Sequence, residues 1–203
     1  FSSFGQSFFL GLFNSSIRET LSITHGQFGS IYASATLLSS FVLILIGKKI
    51  DDMNILKFAS YVILLLSISS FLFSKIYSTI FLFFSIFLMR LSGQGLMSHA
   101  ASTTISRYFE RSRGKAISIT WLGLSLAEFI MPLLIVFLLT FIGWRSIWIS
   151  ISILVIFILP IVIFFTVKNI KLDSRENSIN DKKVTKEVRQ WKRTEVLKDY
   201  RFY

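Results

Sequence analysis

The sequence lacks the residues from which many enzymes and metalloproteins build their sites. It has no cysteine in 203 residues, so neither a disulfide framework nor a thiolate metal site can form. Its two histidines, His25 and His99, are too far apart for metal-ligand spacing. Metalloprotease, nucleophile-elbow and Walker A motifs are also missing. We therefore expect no enzymatic activity, no metal site and no cofactor.

Charged residues are scarce as well. They make up 16% of the chain, against 53% hydrophobic residues, and phenylalanine alone occurs 22 times. The mean hydropathy is +0.64, which is too apolar for a soluble domain of this length. The composition therefore predicts a protein that lies in the lipid bilayer.

Long apolar runs define the predicted architecture. Five of them have the length of complete transmembrane helices, at about residues 25–46, 55–74, 77–101, 116–142 and 146–167. The apolar stretch 1–13 is shorter than the roughly 20 residues that a spanning helix needs. We interpret it as the outer half of a truncated first helix, followed by a polar loop at 14–24. The predicted fold is all-α, with six transmembrane helices in one bundle at 1–167.

The remaining segment, 168–203, has a different composition. It begins as a polar stretch typical of a linker. Val184, Val188 and Trp191 then follow helical spacing among charged residues, which favours a helix lying at the membrane interface. We predict a cytoplasmic linker and an interfacial helix that leads toward a seventh span, missing from this sequence.

The distribution of lysine and arginine predicts the orientation. These residues concentrate in the turns 47–54 and 102–115 and in the tail 168–203, whereas the other side has only Arg18, Lys75 and Arg145. Cytoplasmic segments carry the excess of basic residues, so we expect those turns and the tail to be cytoplasmic in a multi-pass plasma (inner) membrane protein. The net charge of +11 is then a topology signal and an attraction to lipid head groups, and we expect no nucleic-acid partner.

Two ionisable residues stand far inside predicted spans. Arg90 follows Lys75 by 15 residues, roughly 22 Å along a helix, and Glu128 lies near the middle of the fifth span. Intramembrane charges are costly and face protein or water. Arg90 has either a direct role in substrate or proton coupling or a structural role, satisfied by neighbouring carbonyls or by Glu128. Glu128 is either a proton carrier or an ion-pair partner. Gln94 shares the face of Arg90, and Gln6 is either a further binding residue or a packing amide.

Three motifs occur at matching places along these spans. They are Gly47-Lys-Lys-Ile-Asp51 after the second span, Arg90-Leu-Ser-Gly-Gln-Gly95 in the fourth and the basic turn from Arg107 to Lys115 before the fifth. Together they resemble signatures of the amino-terminal half of major facilitator superfamily transporters. The resemblance implies a second six-helix half as partner and alternating access. It also favours a cytoplasmic gate in which the turns meet, formed by Gly47, Asp51, Arg111, Arg113 and Gly114.

Some positions depart from these signatures. Asp52 and Asn54 replace the basic residue and the glycine that usually follow in the first motif. Glu128 does not fit the drug-antiporter pattern, although Gly123 and Pro132 resemble it. Two stretches look more like the branch of the superfamily that includes oxalate/formate exchangers and monocarboxylate carriers. They are Phe4 to Phe9 and Gly123 to Pro132.

The functional prediction follows from these residues. We predict a secondary active transporter for a small organic anion, because Arg90 offers a fixed cation with bidentate geometry for a carboxylate. If Glu128 neutralises Arg90, the cation is no longer available to bind an anion. The alternative is a six-helix membrane receptor or assembly module that transports nothing.

Overall fold

The structure, a computed structural model, describes residues 2–47, 49–108 and 113–168. The predicted linker and interfacial helix beyond 168 lie outside the described residues. The short elements are a 3₁₀ turn Ser2–Gly5 and the helices α1 Ser7–Gly11, α2 Asn14–Leu21 and α4 Lys49–Asp52. The long ones are α3 His25–Ile46, α5 Ile55–Ser74, α6 Thr79–Met89, a π-helix Arg90–Met97, α7 Ser98–Tyr108, α8 Arg113–Leu139 and α9 Trp144–Lys168.

Five helices in the described ranges are long and apolar enough to cross a membrane. They are His25–Ile46, Ile55–Ser74, Thr79–Ser106, Gly114–Leu139 and Trp144–Phe165. The third of these is continuous, since α6, the π-helix and α7 follow one another without a break. The prediction of an all-α membrane bundle with five complete spans is confirmed.

Local capping sets where two of these spans begin. Thr24 and Gln27 form a capping box, in which each side chain accepts a hydrogen bond from the other residue's backbone N–H. Asn54 Oδ1 accepts from the Leu56 N–H at 2.9 Å at the start of α5. These caps explain why the helices begin at His25 and Ile55, as predicted.

The predicted loop at 14–24 is wrong for its first part, because Asn14–Leu21 is helix α2. Ile17 is fully buried, and Arg18 Nε donates to Asn14 Oδ1 at 2.6 Å, one turn away. The polar residues that suggested a loop are therefore the outer face of an amphipathic helix. Ser22, with a positive φ of 52°, ends it. The predicted turn at 47–54 likewise contains the single helical turn α4.

An aromatic cluster joins the first segment to two spans. Trp148 of α9 is fully buried, and its ring centroid lies 5.5 Å from Phe9, 5.1 Å from Phe13 and 4.4 Å from Phe73. Such offset and edge contacts stabilise aromatic pairs beyond the area they bury. The short α1 is thereby fixed against α5 and α9.

Two serines join α5 to α9 with reciprocal hydrogen bonds. Ser67 Oγ donates to the Ser152 carbonyl at 3.0 Å, and Ser152 Oγ donates to the Ser67 carbonyl at 2.8 Å. Both side chains are buried. Because lipid is as apolar as a leucine side chain, helices in membranes associate through small residues and interhelical hydrogen bonds of this kind.

A close approach of two backbones joins the first segment to the π-helix. A Cβ on Gly93 would lie 2.7 Å from both Cα and N of Gly5, and one on Gly5 would lie 2.5 Å from the Met89 carbonyl oxygen. Only glycine fits at both places, because any side chain would push the two backbones apart. This contact holds the first segment across the middle of the fourth span.

We expect Gly93→Ala to destabilise the bundle by about 1–3 kcal/mol, the usual cost of overpacking. The matched control is Gly123→Ala, since a Cβ there meets nothing within 4 Å and alanine is the better helix former. Thermal unfolding in detergent micelles should give a lower midpoint for the Gly93 variant and an unchanged or higher one for the control. Equal midpoints would mean that the Gly5–Gly93 contact does not limit packing.

Candidate functional site

The fourth span departs from α-helical geometry where its charged residue occurs. The π-helix begins at Arg90 and runs to Met97, with a regular α-helix on either side. Gly93 and Gly95 lie within it, and the first segment packs on it through Gly5. π-helical segments are rare and are found frequently at functional sites. This segment is therefore the candidate functional site.

Arg90 is buried, with 8% of its surface exposed. Its Nη1 donates to the Gly5 carbonyl at 3.2 Å and to Ser7 Oγ at 3.0 Å. Tyr32 of α3 donates its hydroxyl to the same Ser7 Oγ at 2.9 Å, and its ring centroid lies 5.4 Å from Arg90 Cζ, within cation–π range. The charge is thus stabilised by neutral groups from two other segments.

A break in the first segment makes this arrangement possible. Gln6 is extended, with φ −76° and ψ 154°, between the 3₁₀ turn and α1. The Gly5 carbonyl therefore lies at a discontinuity of the helix and accepts from Arg90. Broken helices of this kind form the solute and ion sites of many transporters.

The structure brings Arg90 and Gln94 together with the first segment but does not pair Arg90 with Glu128. Glu128 is exposed on α8, and its side chain makes no ion pair with Arg90, both residues being described. Of the two structural alternatives for Arg90, satisfaction by a carbonyl is what the geometry shows. Gln6 is half-buried, and its side chain makes no capping hydrogen bond to α1.

One edge of the guanidinium is left without a partner. Arg90 Nε is buried and has no hydrogen-bond partner among the described residues, and the same is true of Gln94 Oε1. Nη2 of Arg90 also has no hydrogen-bond partner among the residues that the structure describes. Since Nη1 is engaged, the end-on fork of Nη1 and Nη2 is not free for a carboxylate. Nε, which is buried, and Nη2 are the donors that have no partner in the described structure, and they lie on one edge of the guanidinium, the side-on edge of a bidentate pair.

The predicted cytoplasmic gate is described only in part. Gly47 ends α3, and its carbonyl accepts from His99 Nε2 at 3.1 Å. A Cβ on Gly114 would meet nothing within 4 Å. The whole of Arg111 and the side chains of Asp51 and Arg113 lie outside the described residues, so the meeting of opposite charges at this gate stays a prediction.

Ser7 and Tyr32 belong to the site and were missed by the sequence analysis. Both come from segments distant in sequence from their partners. The Arg90–Ser7 hydrogen bond spans 83 residues, and the Tyr32–Ser7 hydrogen bond spans 25. A serine and a tyrosine in apolar helices have no distinctive spacing, so no signal in a single sequence singles them out.

Five spanning helices, a buried arginine in one of them and a broken first segment are features of a polytopic membrane protein of the transporter type. The family model described as Major Facilitator Superfamily matches residues 1–202. The chain therefore belongs to the major facilitator superfamily, a family of transporters, and is a multi-pass membrane protein. No curated protein and no solved structure matches it individually. The branch of oxalate/formate and monocarboxylate carriers stays a prediction.

We expect Tyr32→Leu to destabilise the protein more than Tyr32→Phe. Phenylalanine keeps a ring over Arg90 and loses only the hydroxyl, whereas leucine also loses the cation–π contact, worth about 0.5–2 kcal/mol. Unfolding titrations in mixed micelles measure both free energies. Tyr61, exposed on α5, is the control position, where the same two substitutions should differ little. Equal losses at Tyr32 for leucine and phenylalanine would show that the ring does not stabilise the guanidinium.

Proposed function

We propose that this protein is a secondary active transporter that moves a small organic anion by alternating access. The observation that supports the proposal most directly is the buried Arg90, whose positive charge is met by a carbonyl, a hydroxyl and a ring. Intramembrane charges are expensive and usually mark solute or ion pathways. A cation that has no counter-ion among the described residues attracts an anion in such a place.

The geometry of the guanidinium favours a carboxylate. With Nη1 held by Gly5 and Ser7, the edge formed by Nε and Nη2 faces no protein acceptor in the described structure. A carboxylate has two oxygens at the right spacing for that edge, and such bidentate pairs are among the strongest hydrogen-bonded contacts. Anchoring by the first segment fixes the orientation of the edge.

Alternating access requires a second bundle that rocks against this one. The family resemblance assigns that role to a second six-helix half of the same protein, which would close the site from the other side. We place the turns 47–54 and 102–115 and the tail in the cytoplasm, on the basis of their lysine and arginine content. Asp51 and the arginines of the opposite turn would then control opening on that face.

Glu128 is the proposed coupling residue. It is exposed on α8, which is the least buried of the five spans. Only 6% of the apolar stretch of α8 is buried inside the bundle, against 50% for α5. A carboxylate near mid-span is not tolerated in contact with lipid chains, so this face of α8 borders water or another part of the protein. A group in such a position is suited to take up and release a proton.

A receptor or an assembly module is the rival class. No described contact favours it, and the members of the superfamily are transporters. Uptake of labelled organic acids into proteoliposomes decides between the two. A protein that binds such acids without moving them would overturn the transport proposal.

We expect Arg90→Lys to insert normally but to lose most of its transport. Lysine retains the charge but cannot present a planar edge to a carboxylate. Counterflow in proteoliposomes measures the effect. Arg145→Lys is the matched control, because Arg145 donates to the Ile76 carbonyl at a turn between spans, away from the site, and it should transport like the parent. Parental transport by the Arg90 variant would refute the role of the guanidinium.

We expect Glu128→Gln to abolish accumulation driven by a pH gradient while exchange of solute continues. The amide keeps the shape and the hydrogen bonds of the side chain but does not titrate. Accumulation and exchange are measured in the same vesicle preparation, so a loss of both would indicate misfolding or a different role. Accumulation at the parental level would leave Glu128 a packing residue.

A further inference from the structure

Two turns meet at the end of the bundle opposite the turn 47–54. One follows α5 and begins with Lys75, and the other precedes α9, whose second residue is Arg145. Arg145 Nη2 donates to the Ile76 carbonyl at 2.7 Å, so its guanidinium lies against the first turn, at the residue that follows Lys75. Two positive charges from spans distant in sequence are thereby brought to one place on the surface.

Neither charge has an acidic partner among the residues that the structure describes. Lys75 and Arg145 form no ion pair there. Nε and Nη1 of Arg145 have no hydrogen-bond partner in the same residues, and, unlike Nε of Arg90, they are not buried. Two neighbouring cations with accessible donors repel each other and attract a common anion.

Aromatic rings indicate the depth of these charges in the membrane. The Arg145 guanidinium lies over Trp144, with Cζ 4.4 Å from the ring centroid. The Lys75 ammonium lies 5.7 Å from the ring centroid of Phe71, which is exposed on α5, and Tyr77 is exposed in the same turn as Lys75. Tryptophan and tyrosine are enriched where the head groups meet the hydrocarbon. The two cations therefore lie at the level of the lipid phosphates.

The phosphate of an anionic lipid fits these donors. Its oxygens accept from a guanidinium in the planar geometry that favours arginine at phosphates, and the lysine adds a second charge on a flexible stem. The acyl chains of the same molecule would cover exposed apolar side chains beside the cations, among them Phe71. A free phosphate has no such chains, so a membrane lipid is the occupant that both the charge and the apolar surface favour.

We propose that Lys75, Trp144 and Arg145 form a binding site for the phosphate of an anionic membrane lipid, at the end of the bundle opposite the turn 47–54. The bound lipid joins the turn after α5 to the start of α9. In the rival explanation, Arg145 only holds the Ile76 carbonyl and Lys75 only faces water, which predicts no preference among lipids at this place. The proposal concerns lipid binding and does not depend on the proposed transport.

The test places a reporter on this part of the surface alone. Tyr77→Cys, in a chain that has no cysteine of its own, is labelled with a fluorophore, and the protein is reconstituted in phosphatidylcholine vesicles. Phosphatidylglycerol or phosphatidylcholine, each spin-labelled on an acyl chain close to the head group, quenches the fluorophore when it binds nearby. Comparing the two quenching curves gives the local preference for the anionic lipid.

We expect the anionic lipid to be preferred by about tenfold or more, because each basic residue near the head groups adds about fivefold. Lys75→Gln and Arg145→Gln should each lower the preference about fivefold for the same reason. Arg18→Gln is the matched control. It removes the same charge from α2, where Arg18 donates to Asn14 one turn away, and it should keep the parental preference.

Four results would overturn the proposal. Equal quenching by the two lipids in the labelled parent does so without any charge variant. A loss in Arg18→Gln as large as that in Lys75→Gln would show that overall charge attracts the lipid. Parental preference in Lys75→Gln, a change at an exposed side chain, decides against the site even if Arg145→Gln does not fold. Glycerol phosphate, added in the water, should not displace the lipid, and displacement would mean that the site binds free phosphate instead.

Discussion

The burial of one guanidinium is the constraint on which this bundle depends. A charge at that depth must be stabilised inside the protein, because lipid offers no acceptor. Arg90 obtains its acceptors from the first segment, through the Gly5 carbonyl and Ser7 Oγ. A continuous helix would use such a carbonyl for its own hydrogen bonds, so the break at Gln6 and the position of Arg90 belong together. The first segment cannot be straightened or displaced without leaving the arginine unsatisfied.

Close packing of glycines brings that carbonyl within reach. Gly5 and Gly93 meet backbone to backbone, so the fourth span passes the first at a distance that no larger residue permits. In lipid, this contact replaces the hydrophobic driving force that packs soluble helices. The Ser67–Ser152 pair and the aromatic cluster around Trp148 work in the same way. Together they join α5 and α9 to each other and to the first segment.

Much of the fold could be predicted because the bilayer restricts it so strongly. Apolar length identified the five spans, and the structure shows that Thr24 and Asn54 cap two of them at the predicted starts. The short α2 was missed because its polar residues, read as a loop, follow the amphipathic pattern only once Ile17 is known to be buried. Arg90 was found because a charge inside an apolar run is conspicuous. Its partners Ser7 and Tyr32 were not found. The Arg90–Ser7 hydrogen bond spans 83 residues and the Tyr32–Ser7 hydrogen bond spans 25, and contacts so distant in sequence leave no local pattern.

How the charge is stabilised matters for the proposed transport as much as its presence. An ion pair with an acid such as Glu128 would be strong in the low dielectric of the interior, and a solute would have to break it before binding. The neutral groups around Arg90 stabilise the guanidinium without cancelling its net charge, and they engage only Nη1 and one face of the plane. The arginine is thus rigid and oriented while its remaining edge stays unpaired. Holding a cation with dipoles rather than with a counter-ion keeps it both stable and available to an anion.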